Sequence, residues 1–400
     1  DVTWLDMLKI KASYGEQGND NIGNFRYTNV YDIINSNGNP GASPISMGNE
    51  DITWEKNGNF NAGVEFSMFN GRFTGNIEAF YRKTSDMLMY FPLPTSFGYA
   101  GYYDNIGDMT NTGVEIELGG TPIKTKNFKW DVNFNMTWYK NRISKLPEER
   151  KGQNAYKFTD DFSSNPVKGY SSGRYFYGEG ESMYSFYTYK YAGVNKENGK
   201  ALYYQYVRDE NGNPTGEVTT TDNYSMADRF LVGSALAPVY GGFSTQFTYR
   251  DFDLSLAFNY QIGGKVYDSG YANLMGSPYS TSGKGFNIHA DILNAWTPEN
   301  RDSDIPRYYY GDQYTNSTSD RFITDASYLS LENINFGYTL PTKLVRKAYL
   351  SKVRVYLACD NVWVWSKRQG LDPRQSFTGG SNNTYYAPIR TISGGLTVEF

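Results

Sequence analysis

The stretch Trp130-Asp131-Val132-Asn133-Phe134-Asn135-Met136-Thr137-Trp138 alternates at every position. One side collects Trp130, Val132, Phe134, Met136 and Trp138; the other collects Asp131, Asn133, Asn135 and Thr137. Successive side chains of a β-strand point to opposite faces, so the pattern predicts a strand with one apolar and one polar side. Residues 252–260 repeat it, with Phe252, Leu254, Leu256, Phe258 and Tyr260 on the apolar side. Residues 60–68 and 73–81 keep the same period, and weaker versions occupy 8–14, 114–118, 329–338, 353–359 and 392–400. In 329–338 the phase slips near Glu332-Asn333, which predicts a β-bulge.

Alternation alone also suits a soluble sandwich. Two features point instead to a transmembrane antiparallel β-barrel. Aromatics mark strand ends: Trp130 and Trp138 lie ~27 Å apart at ~3.4 Å per residue. With a tilt of about 40° that is roughly 20 Å along a barrel axis, near the ~25 Å apolar band of outer-membrane barrels and its two aromatic girdles. The connections also sort by length. Segments 17–52, 143–237 and 266–324 are long, and 91–108 and 367–388 are of medium length. Between them fall the short connections Asn70-Gly71, 122–127, Arg250-Asp251 and 341–350, the last with room for a turn of helix. Long and short alternate strictly, as extracellular loops and periplasmic turns do. The count is ten transmembrane strands across residues 1–400, with 143–237 and 267–324 as long extracellular loops.

The composition agrees once the strands are read this way. The chain has 400 residues, 38 Lys and Arg against 42 Asp and Glu, and 37 Tyr, 24 Phe, 7 Trp and 41 Gly. Mean hydropathy is −0.61. No apolar run is long enough for a membrane helix, the charge is too balanced for a nucleic-acid surface, and Cys359 alone forms no internal disulfide. The first residues, Asp1-Val2-Thr3-Trp4, carry neither an initiator Met nor a signal peptide, so the chain reads as a piece of something longer.

Phrases along the whole chain resemble a known family in order. They include Leu8-Lys9-Ile10-Lys11-Ala12-Ser13-Tyr14-Gly15, Trp54-Glu55-Lys56, Tyr81-Arg82-Lys83-Thr84-Ser85-Asp86-Met87-Leu88 and Asn105-Ile106-Gly107-Asp108-Met109 with Asn111-Thr112-Gly113-Val114-Glu115. Tyr191-Ala192-Gly193-Val194, Pro238-Val239-Tyr240-Gly241-Gly242-Phe243 and Trp296-Thr297-Pro298-Glu299-Asn300 follow. Tyr328-Leu329-Ser330-Leu331-Glu332-Asn333-Ile334, Gly337-Tyr338-Thr339-Leu340-Pro341 and Gly370-Leu371-Asp372-Pro373 complete the set. The chain resembles the C-terminal barrel part of SusC/RagA-type, TonB-linked outer-membrane transporters of Bacteroidetes-like bacteria. The resemblance implies a 22-stranded barrel with a plugged lumen, of which ten strands are present. It further implies TonB contact through the absent N-terminal part, a SusD-like lipoprotein cap, and import of oligosaccharide or peptide cargo. A passive porin, a surface glycan-binding adhesin and a secreted β-rich glycosidase stand as alternatives.

Little in the sequence points to an enzyme, a metal or a cofactor. His289 is the single histidine, Cys359 sits on the apolar side of a strand, and Asp209-Glu210-Asn211-Gly212-Asn213-Pro214 reads as a hairpin turn rather than a calcium loop. Glu65, Glu78, Glu115, Glu117, Asp131 and Asp253 fall on the polar faces and read as lumen wall. The loops are rich in Tyr, which stacks on sugars and enters interfaces. Trp296, Tyr308, Tyr309, Tyr310, Tyr187 and Tyr189 are therefore the candidate contacts for cargo or cap. The ten apolar-side residues of the two strongest strands, Trp130 to Trp138 and Phe252 to Tyr260, are expected to face lipid. Leu396, Val398 and Phe400 form a candidate barrel-assembly signal at the C-terminal strand.

Overall fold

The computed structural model describes residues 3–158, 166–276, 287–309, 316–368, 370–381 and 386–400. Ten strands form one antiparallel meander. They are β1 (Leu5–Asn19), β2 (Glu55–Met68), β3 (Phe73–Ser85), β4 (Asp108–Lys124), β5 (Phe128–Lys145), β6 (Val239–Tyr249), β7 (Phe252–Ile262), β8 (Tyr328–Thr339), β9 (Lys352–Ser366) and β10 (Thr391–Glu399). Each pairs with the next, and β1 and β10 are the two edges. No helix among the described residues is long and apolar enough to cross a membrane, which says nothing of strands.

Several strands outrun their apolar pattern. β4 alternates clearly only at 114–118, yet it pairs from Asp108 to Lys124. Gly113, Gly119 and Gly120 give no apolar signal, but Gly113 makes room for Phe80: a Cβ there would meet the ring at 2.5 Å. The predicted bulge is present in β8, where Ala257 faces Asn333 and Phe258 faces Leu331, leaving Glu332 as the extra residue. Turns at one end are tight: Phe69, Asn70 and Gly71 all have positive φ, as does Arg250. The turn between β8 and β9 holds the short helix Thr342–Val345.

The register carries the apolar residues of neighbouring strands to a common face. Phe134 faces Phe243, which faces Phe258; Trp130 faces Phe247, which faces Leu254. The Phe243 and Phe258 rings stack at 4.4 Å, and Trp130 stacks on Phe247 at 5.9 Å. Trp130 Nε1 donates to Thr245 Oγ1 at 2.7 Å, so its polar atom has a partner within the apolar face. The opposite face is charged and hydrogen-bonded. Lys11 lies 3.5 Å from Glu78 and Lys129 2.8 Å from Asp131. Arg354 of β9 reaches across β8 to Asp253 of β7, with Nε to Oδ1 at 3.0 Å. Gly337 allows this crossing, since a Cβ there would meet the guanidinium at 2.3 Å.

The connections opposite the tight turns fold into a layer of their own. Residues 146–238 supply a five-stranded sheet (Gln153–Ala155, Val167–Ser172, Tyr175–Gly178, Ser185–Tyr189, Arg229–Ser234) and a three-stranded one (Tyr191–Val194, Ala201–Arg208, Pro214–Thr221). Nearly all fully buried large side chains are here or in the other long connections, among them Phe176, Phe186, Tyr203, Phe230, Phe322 and Ile106. Hydrogen bonds join the connections to one another. Lys190 pairs with Asp320 at 2.6 Å, Tyr175 donates to Thr378 O at 2.6 Å, and Tyr224 donates to Thr318 O at 2.9 Å. The Asp209–Asn213 segment is the expected hairpin turn, with Asp209 accepting from the N–H groups of Asn211 and Asn213.

Candidate functional site

The layer sits over the polar face of the wall. Asn141 of β5 accepts from the backbone N–H of Met183 at 2.9 Å, and Ser330 of β8 accepts from Arg374 at 3.0 Å. A cavity of about 370 Å³ lies where wall and layer meet. Its wall side is Tyr139, Tyr240, Gln261 and Tyr328, which share the polar face; Arg374 and Phe377 close it from the last connection. Arg374 is the hub. It donates to Asp372 through Nε (2.9 Å) and Nη2 (2.8 Å), and to Glu332 through Nη1 at 2.7 Å. Burial works to raise the Asp372 carboxyl, but hydrogen bonds from the Arg374 guanidinium and backbone N–H, with the cation's charge, hold it below the usual range. Glu332, the bulge residue, accepts from Arg374, whereas the next residue, Asn333, donates to Asp360 at 2.6 Å. The arrangement offers aromatic rings, an amide and paired charges, which suits an uncharged polar ligand or a backbone amide rather than bond-breaking chemistry.

A second cavity, about 720 Å³, opens between the 263–327 and 367–390 connections. Arg368 lies over the Tyr271 ring at 4.0 Å, with Nε 3.3 Å from Asp268. Tyr271 donates to Asp291 at 2.8 Å, and His289 Nδ1 accepts the Asp291 backbone N–H at 3.1 Å. His289 thus caps the short turn Ala290–Asn294. Among the described residues no group of three or more His, Cys, Asp or Glu could hold a metal ion.

Among the described residues no ring contact joins any two of the candidates Trp296, Tyr308, Tyr309, Tyr187 and Tyr189. Trp296 is half-buried, donates to Lys196 O at 3.2 Å and fills the space over Gly199. Tyr309 is 62% exposed, with the Arg307 guanidinium 5.0 Å from its ring. Tyr308 packs against the cluster around Phe186 and Phe322. Tyr187 packs on Phe176 at 5.1 Å, and Tyr189 lies 4.3 Å from Tyr224. Tyr310 lies outside the described residues. Burial raises many loop tyrosines, Tyr177 and Tyr191 up to about 12, so they stay protonated at any physiological pH. The constellation around Arg374 went unrecognised in the sequence. Its one signal was the phase slip at Glu332.

A polar-faced sheet walled by an apolar face, with tight turns at one end and a folded layer at the other, defines the wall and mouth of a transmembrane β-barrel. Residues 1–231 match the family described as "TonB dependent receptor-like, beta-barrel". The chain belongs to this family, whose members are barrels of the outer membrane and not enzymes. It is 30% identical over 411 residues to TonB-dependent receptor SusC of Bacteroides thetaiotaomicron, covering 100% of this chain and 38% of the relative. To TonB-dependent receptor P3 of Formosa agariphila it is 29% identical over 419 residues, covering 100% of this chain and 39% of the relative. The structure of the RagAB peptide transporter superposes with a TM-score of 0.79 at 29% identity, over 100% of this chain and 42% of that one. The chain therefore spans about two fifths of the length of the relatives it matches.

Proposed function

We propose that the chain forms ten wall strands, the lumen lining and the mouth of an active outer-membrane importer of oligosaccharide. Energy comes through TonB acting on a plug outside this chain, and a SusD-like lipoprotein caps the mouth. The observation that carries this reading is the folded layer held over the polar face by Arg374 and Asn141, enclosing ring-lined space at the lumen's end. The similarity to SusC supports it. On this reading 143–237 and 267–324 are extracellular, and the apolar residues Trp130 to Trp138 and Phe252 to Tyr260 meet lipid. Leu396, Val398 and Phe400 signal barrel assembly. Trp296, Tyr187, Tyr189 and Tyr308 to Tyr310 serve cargo or cap contacts, Tyr309 most directly because it is open to solvent. The edges β1 and β10 are open, and unpaired edges are not tolerated in lipid, so further strands complete the barrel.

Peptide cargo is the second reading, favoured by the likeness to the RagAB peptide transporter. Cells carrying the full-length protein and its cap, offered labelled oligosaccharides or labelled peptides, separate the two. Oligosaccharide accumulation that stops when the proton gradient is collapsed is expected. Uptake indifferent to the gradient would sink active transport, and peptide uptake alone would sink the cargo assignment.

A further inference from the structure

β5 outruns its neighbour at the loop end. β6 begins at Val239, opposite Trp138, whereas β5 continues to Lys145. Tyr139 N–H donates to Pro238 O at 2.9 Å, and Ile143 exchanges backbone bonds with Gly180 and Glu181 at 2.8 Å each. Between these two closures lies a slot of about 620 Å³. Five cations line it: Lys140, Arg142, Lys157, Lys190 and Lys265. Two are neutralised, Lys157 by Glu181 at 2.5 Å and Lys190 by Asp320 at 2.6 Å. Lys265 stands opposite Asp325 in the register and also lines the Arg374 cavity, but among the described residues Lys140 and Arg142 form no ion pair, which leaves the slot with two uncompensated positive charges.

The position of two of these cations is the second observation. Lys140 and Arg142 follow Trp138 in phase, so they share its face and point away from the lumen. At ~3.4 Å per residue they stand roughly 7 and 14 Å along the strand beyond Trp138. Trp138 is 42% exposed and ends the apolar run. Lipid headgroups begin just beyond such an aromatic belt. Arg142 and Lys83 flank Thr110 in the register, but Lys83 is already held by Asp108 at 2.8 Å. Cargo crossing the lumen does not pass this side of the wall. A guanidinium offers a bidentate fork to phosphate, and basic pockets at the headgroup level hold anionic lipids.

We propose that the slot beside upper β5 binds the phosphate of an anionic lipid headgroup, with Arg142 as the fork and Lys140 as a point charge. The test uses the full-length transporter in phosphatidylcholine nanodiscs doped with phosphatidic acid, or with diacylglycerol as the uncharged control. Native mass spectrometry reads the lipid retained. The wild type should keep phosphatidic acid and not diacylglycerol. The double variant Lys140→Gln/Arg142→Gln should lose roughly tenfold in retention, Arg142→Lys should keep most of it, and Lys352→Gln at the opposite end should match the wild type. Heat-modifiable electrophoretic mobility confirms that each variant barrel is folded. Equal retention by the double variant would overturn the site. Displacement of the lipid by inorganic phosphate at equal concentration would make it a free-phosphate site and overturn the lipid assignment.

Discussion

The wall and the layer above it spend the same residues in opposite ways. In the wall, large apolar side chains stay exposed on one face: Ile10 is 81% and Leu357 62% exposed. In the layer, Phe176, Phe230 and Phe322 are fully buried, and tyrosines such as Tyr206 combine burial with a donated hydrogen bond, here to Arg229 O at 2.8 Å. The layer obeys the rule of water-soluble domains, apolar inside. The wall obeys it inverted, because its solvent on one side is lipid. A single hydropathy average mixes the two regimes, and hydrophilic loops and lumen residues hide the membrane-facing half.

The contrast predicts unlike responses to mutation. The largest effect belongs to the layer's core: Phe230→Ala should cost about 3–5 kcal/mol and expose residues 146–238 to limited proteolysis while the barrel still shows heat-modifiable mobility. Loss of both together would mean that wall and layer are one cooperative unit. Next is Phe134→Arg, near mid-strand on the apolar face, which should cost about 2–4 kcal/mol in refolding into vesicles. Asn135→Arg, on the polar face, should be mild. Equal costs would show that the facing is wrong. Smaller is Trp130→Phe, which keeps an aromatic ring and removes the bond to Thr245; about 0.5–1.5 kcal/mol is expected by equilibrium unfolding.

The smallest effect concerns pH at the junction. Asp372 has its folded pKa depressed, so its contribution is present above the unfolded value of about 3.9 and is lost as pH falls through the lower folded one. Hydrogen exchange in residues 370–381 should quicken only in that acidic window. Arg374→Met should quicken it already at neutral pH and abolish the dependence. A full-strength pH response in the variant would mean that other carboxylates hold the segment.

Much of the wall was legible because each strand is decided locally by period two. Even the bulge showed, as a broken phase at Glu332. Strand ends were less legible where glycine and threonine pair without an apolar signal, as at Gly119-Gly120 in β4. The layer was hardly legible. Its strands are short, and its cores form between distant segments, as when Tyr224 reaches Thr318. The site shared that difficulty: Arg374 finds Glu332 through a fold, not through spacing. The candidate tyrosines differ in placement, Tyr187 and Tyr308 packing against other rings and Tyr309 open to solvent, because aromatic density in a loop marks a core as readily as a contact surface.

The central claim, ten wall strands with the layer outside the cell and the turns inside, is tested most directly by labelling intact cells. In the full-length protein with Cys359→Ser, a cysteine replaces Asn211 in the layer's hairpin turn or Lys126 in the turn between β4 and β5. A membrane-impermeant maleimide should label the Asn211→Cys protein on intact cells and the Lys126→Cys protein only after the outer membrane is opened. Labelling of both on intact cells, or the reverse order, would contradict the account.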